Sequence, residues 1–176
     1  MKKLITLLFV AGLLSFGGSN SLFAQSSLNV TFRVNLLEWY DLSIGNTVIN
    51  FSDQAPAFLN PPPAVNLAAT ENPVAVRVFA IVRAADTLTL TATALGNLTK
   101  GSGNDIDVNA ISWTVAGDAG YAAGTLQNGS AVPAGSWTGT AFHWHQGSFN
   151  FVFTRDYMTQ EPGAYSATVT YTLSKV

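Results

Sequence analysis

The last stretch of the chain alternates with a period of two. Tyr165, Ala167, Val169, Tyr171 and Leu173 fall on one side, and Ser166, Thr168, Thr170, Thr172 and Ser174 on the other. Successive side chains of a strand point to opposite faces, so this pattern predicts a strand with one apolar and one polar face. Leu28, Val30, Phe32, Val34 and Leu36 alternate in the same way with Asn29, Thr31, Arg33 and Asn35, as do Leu88, Leu90, Ala92 and Ala94 with the threonines between them. Residues 73–83 are β-branched and apolar on both faces apart from Arg77 and Arg83, which fits a strand covered on two sides. No helical period competes after residue 25. A strand with an apolar face needs a second layer to cover it. The expected fold is therefore all-β: one immunoglobulin-like β-sandwich, mostly antiparallel, of eight to ten strands over residues 25–176.

The punctuation between these runs predicts the connections. Pro162-Gly163 and Gly45-Asn46 are turn dipeptides, and Ala84-Ala85-Asp86 is expected to close a hairpin between the strands on either side of it. Residues 52–70, with Pro56 and Pro61-Pro62-Pro63, read as a loop or an edge crossing, since proline cannot donate to a ladder. Ile106, Val108, Ile111 and Trp113 mark a strand whose register slips near Asn109, as at a bulge. Residues 117–135 read as a long Gly- and Ala-rich connection with one short strand near 121–126. Gln146-Gly147 is expected to be a two-residue hairpin turn. That would set Trp144 opposite Phe149 and Phe142 opposite Phe151, gather these with Phe153 on one face, and leave His143 and His145 on the polar face.

Composition adds an address. Lys2 and Lys3, the apolar run 4–14 and the small residues before Ala24 form a secretory signal, with cleavage expected after Ala24; an uncleaved anchor is the rival reading. What remains is about 150 residues, enough for one domain with a real core. The formal net charge of −2 becomes −4 once Lys2 and Lys3 are removed. A mildly acidic chain without a basic cluster argues against nucleic acid and anionic membranes as partners. Charged residues are only 10% of the chain, against about 25% in a typical soluble domain. Thr, Ser and Asn supply the polar faces instead, as suits strands that pack against neighbours. There is no cysteine, hence no disulfide, thiol nucleophile or thiolate metal site. No segment after the signal is long and apolar enough to span a bilayer as a helix. A secreted, extracytoplasmic protein is expected, free or held at the cell surface by non-covalent contacts.

Candidate chemistry is sparse. His143 and His145, two apart on a strand, point the same way, a spacing that can present two imidazoles to one metal; no third ligand accompanies them, and a polar outer face explains them as well. Asn104, Asp105, Asp107 and Asn109 resemble the start of a calcium loop but lack its glycine and terminal glutamate. A Gly-x-Ser-x-Gly elbow and a phosphate-binding glycine loop are both absent. The parts of every reaction class are incomplete, so neither catalysis nor a cofactor is expected. Trp39, Tyr40 and Trp137 lie at predicted strand ends or beside turns. There they either stack on sugar rings or a protein partner, together with the two histidines, or cap the core.

Tyr165-Ser-Ala-Thr-Val169-Thr-Tyr171-Thr-Leu173 resembles the closing motif of WxL-type bacterial surface domains, with Tyr171 where that family carries Trp, and Trp113-Thr114-Val115 resembles its first motif. The Pro-Gly-x-Tyr opening is similar to the last strand of fimbrial-subunit and other immunoglobulin-like bacterial modules, and to a tyrosine corner. Over residues 106–174 this resemblance implies a secreted bacterial sandwich of the surface-attached or fibre-forming kind. The expected partners are other copies of the chain, cell-surface components or glycans. Leu28, Val30, Phe32, Val34 and Leu36 are the candidate strand, paired within its own domain or donated to a neighbour's sheet.

Overall fold

The structure, a computed structural model, describes residues 31–34, 39–53, 63–81, 83–101, 104–139 and 143–176. The chain divides into two units, Met1–Asn35 and Leu36–Val176. In the first, the signal segment and Leu28 and Val30 lie outside the described residues; residues 31–34 are irregular and exposed. The second is all-β. Its strands are β1 (Trp39–Ile44), β2 (Ala64–Ala68), β3 (Val74–Ile81), β4 (Thr87–Ala94), β5 (Ile111–Gly117), β6 (Gly124–Thr125), β7 (Ala131–Thr138), β8 (His143–Asp156) and β9 (Val169–Lys175). Among the described residues no helix is long and apolar enough to cross a membrane.

The strands form two antiparallel sheets. The larger runs β1-β3-β8-β5-β6, with β2 also on β8; the smaller runs β7-β4-β9. β8 is the spine. It pairs with β3 over its first half, with β2 over its second and with β5 across the middle. Asn72, in the gap between β2 and β3, does the ladder's work there. Its side-chain amide donates to the Phe151 carbonyl at 2.8 Å and its oxygen accepts from the Phe151 N–H at 2.8 Å. The alternation read from the sequence decides what is buried. Val74, Val76 and Val78 of β3, Leu88, Leu90, Ala92 and Ala94 of β4, and Phe149, Phe151 and Phe153 of β8 fill the space between the layers. Rings close it across the sheets, with Phe149 and Tyr171 6.1 Å apart. Tyr165, Ala167, Val169, Tyr171 and Leu173 pack on this core as their period predicts. The Tyr165 hydroxyl donates to the Glu161 carbonyl at 3.1 Å, closing the bend at Pro162-Gly163 as a tyrosine corner would.

Several connections differ from expectation. Ala84-Ala85-Asp86 does turn the chain, but it carries it from one sheet to the other, since β3 pairs with β1 and β8 while β4 pairs with β7 and β9. The slip near Asn109 is a 3-10 turn, Val108–Ala110, capped by Asp107, whose carboxylate accepts from the Asn109 N–H. Part of 52–70 is the edge strand β2, and β7 begins inside the expected 117–135 connection, of which β6 is the predicted short strand.

The largest correction concerns Gln146-Gly147. No turn forms, and β8 runs straight through it for 14 residues. Gly147 has no positive φ. Its missing side chain makes room for the Tyr121 ring, which an added Cβ would meet at 2.6 Å. A glycine inside a strand often marks such a close approach rather than a turn. With the period unbroken, His143 and His145 share the inner face with Phe149, Phe151 and Phe153, and Trp144 points to the opposite, solvent face.

Candidate functional site

Register brings an aromatic cluster together on the outer face of the larger sheet. Phe79 of β3 lies opposite Asp41 of β1 and Trp144 of β8, so all three project to the same side. Trp39, two residues before Asp41, joins them. Its ring meets Phe79 edge-on at 5.4 Å, and Trp144 leans on the other side of Phe79 at 4.6 Å. Phe79 is only 5% exposed although it is on the outer face, and the two tryptophans that lean on it remain 60% and 49% exposed themselves. Two open indoles on an apolar floor can stack on the C–H face of a sugar ring or on a partner's apolar side chain. Tyr40 is not part of this group. One residue along the strand it faces inward, opposite Ala80. Nothing in the sequence marks Trp144 and Phe79 as site residues: a hairpin at Gln146-Gly147 sets Trp144 opposite Phe149 on one aromatic face, and Phe79 reads as an ordinary member of an apolar strand.

The two histidines and Trp137 form a second group on the inner face. From the outside inward, His143 is exposed, His145 lies 4.7 Å from it, and Trp137 stacks on His145 at 5.0 Å and 23°. Tyr121 meets Trp137 edge-on at 4.9 Å. Trp137 is therefore a buried residue and not a surface aromatic; its indole N–H donates to the Ala119 carbonyl at 3.0 Å. His145 is 7% exposed, and its Nε2 is buried without a hydrogen-bond partner. Burial holds its pKa below the ordinary value; the neighbouring His143 adds to this and Asp118 opposes it. Tyr121 fastens the same region, its hydroxyl lying within donating distance of the Val76 and His145 carbonyls, and burial pushes that hydroxyl up to about 12. Among the described residues neither imidazole is hydrogen-bonded to a carboxylate, and no three His, Cys, Asp or Glu side chains are grouped to hold a metal ion.

Asn104, Asp105 and Asp107 line a shallow recess of about 240 Å³ with Thr159, Gln160 and Glu161. Two of its carboxylates have structural work. Asp107 caps the 3-10 turn, and Glu161 accepts from Lys100 at 2.6 Å and Asn104 at 3.2 Å. The Lys100 ammonium holds the Glu161 carboxyl below the usual carboxylate range.

The two edges of the smaller sheet differ. β7 is covered: the Ala122 N–H donates to the Ala134 carbonyl and the Ser136 N–H to the Gly120 carbonyl, and Pro133 removes a donor from the strand. β9 has no neighbouring strand on its outer side among the described residues. Of the candidate donated strand, Leu28, Val30 and Leu36 lie outside the described residues, while Phe32 and Val34 are 86% and 77% exposed. Compared with protein-family models, with curated proteins and with solved structures, the chain matches none.

Proposed function

We propose that this is an extracytoplasmic surface protein without catalytic activity, which assembles with other copies of itself by adding a strand to a neighbour's sheet. The observation that carries the reading is the run Leu28, Val30, Phe32, Val34, Leu36. It has the period of a half-buried strand, yet its described members Phe32 and Val34 are open to solvent. Apolar side chains spaced for burial and left uncovered mark an interaction segment. The secretory signal and the resemblance of residues 106–174 to surface-attached and fibre-forming modules point the same way. Native mass measurement of the secreted protein tests it. The expected result is a ladder of oligomers, reduced to monomer by deleting residues 26–37 and, without shortening the chain, by Phe32→Asp with Val34→Asp. A wild-type protein that stays strictly monomeric overturns it.

A second reading is favoured by the aromatic platform. Trp39 and Trp144, held on Phe79, suit a glycan's apolar face, which would make the domain an adhesive or carbohydrate-binding module. Trp137 has no part in this version, because it is buried. On a glycan array, Trp39→Ala with Trp144→Ala should abolish binding, whereas Tyr40→Ala should not. Binding that survives the double substitution removes the idea.

A further inference from the structure

We infer that the acceptor for residues 28–36 is the outer edge of β9 in a second copy of the chain; this rests on the strand-addition reading above. The two layers are unequal. Among the described residues the larger sheet is five strands across and the smaller three, and β1 comes beside β9 where these strands end. Inward-facing Leu42 and Ile44 of β1, and Val169, Tyr171 and Leu173 of β9, stay half-buried there. A fourth strand beside β9 would lie under β1 and cover them.

The ladder between β4 and β9 shows which backbone groups such a strand would meet. Thr87 and Val176 exchange both of their hydrogen bonds. In an antiparallel pair bonded and non-bonded positions alternate. The register then makes Ser174, Thr172 and Thr170 the residues bonded to β4, and leaves the N–H and C=O groups of Val169, Tyr171 and Leu173 pointing away from it. The Leu95 N–H donating to the Thr168 carbonyl keeps the same parity. Residues directly opposite each other across a ladder project to the same face. An incoming strand whose even-numbered residues pair with Val169, Tyr171 and Leu173 therefore sends Val30, Phe32 and Val34 inward beneath Leu42 and Ile44. Its odd-numbered residues, Asn29, Thr31, Arg33 and Asn35, extend the polar face of Thr170, Thr172 and Ser174. Lengths agree: at about 3.3 Å per residue the segment spans about 30 Å, enough to run the whole of β9. Phe32 and Val34 are exposed, and the strand-addition reading makes a second copy the partner. The β7 edge is already occupied and offers no equivalent row.

Because the chain has no cysteine, engineered pairs report this geometry without interference. Positions 31 and 33 of the incoming strand, and 170 and 172 of β9, are the non-bonded, closely approaching positions of the new ladder, where Cβ separations suit a disulfide. Chains carrying Thr31→Cys or Arg33→Cys are mixed under mild oxidation with chains carrying Thr170→Cys or Thr172→Cys. A covalent heterodimer is expected from at least one pairing, in about tenfold excess over the inward control Phe32→Cys with Thr172→Cys, whose side chains leave opposite faces. If oligomers form but every mixture stays uncrosslinked, β9 is not the acceptor, while assembly by strand addition stands. Closure only within a chain carrying both cysteines, and never on mixing, overturns the second copy as occupant. Absence of oligomers in the wild type removes both proposals together.

Discussion

The two halves of β8 share one strand, one period and one inner face, yet they end in different environments. Between Phe149 and Phe153 the strand has β5 on one side and β3, the Asn72 side chain and β2 in turn on the other, and its inward rings are sealed: Phe149 meets Trp113, Tyr121, Phe151 and Tyr171 at about 6 Å. From His143 to Gln146 β3 is its one neighbouring strand among the described residues, and there His143 and Trp144 are exposed while His145 is buried under Trp137. Identical alternation thus builds a core where neighbours exist on every side and leaves a presenting surface where they run out. Pattern decides which way a side chain points; the number of layers around it decides whether it is buried.

Three measurements can break that contrast. The largest effect is expected for Phe149→Ala, a fully buried ring, at about 3–5 kcal/mol in urea unfolding. Trp144→Ala, in the open half, should cost less than about 1 kcal/mol, as surface substitutions do. Equal losses from the two would erase the distinction. Next comes Gly147→Ala, at the join between the halves. Its Cβ would run into the Tyr121 ring at 2.6 Å and the Ala116 carbonyl at 3.0 Å, an overpacking that costs about 1–3 kcal/mol. The loss should shrink when Tyr121 is itself replaced by Ala, so a double-mutant cycle with no coupling would sink the account. The smallest effect is the pH dependence set by His145, the buried side chain of the first half. Burial holds the folded pKa of His145 below 6.5, so below that pH the unfolded chain binds the proton more readily. The stability contributed by neutral His145 is full above about pH 6.5 and is lost as pH falls through the lower folded value. Urea midpoints recorded from pH 7.5 downward should decline more steeply for the wild type than for His145→Phe. Parallel curves would show that this imidazole does not matter.

Much of the fold is readable before any coordinates. β4 and β9 follow from alternation alone, and β3 from its doubly apolar run, because burial of one or both faces leaves a direct trace in residue type. Pairing is less readable. Nothing local says that Ala84-Ala85-Asp86 changes sheets, since a turn and a crossover use the same residues. Gly147 shows the limit most plainly. Glycine serves a turn and a close approach equally well, and what decides between them is Tyr121, 26 residues earlier in the chain and brought there by tertiary packing. That one ambiguity shifted the parity of residues 143–146. It put the histidines outside and Trp144 inside, and so hid the Trp39–Phe79–Trp144 platform. The 3-10 turn at Val108–Ala110, by contrast, had its signal in plain view: Asp107 is well suited to accept from an N–H two residues on.

The short segment between β5 and β6 accepts the indole N–H of Trp113 at Ala122 and that of Trp137 at Ala119. The four tryptophans of the chain consequently fall into two optical classes. An aqueous quencher such as iodide reaches Trp39 and Trp144, but touches the other two only once the sheets have parted. A single emission spectrum therefore carries one signal for events at the surface and another for the loss of the fold.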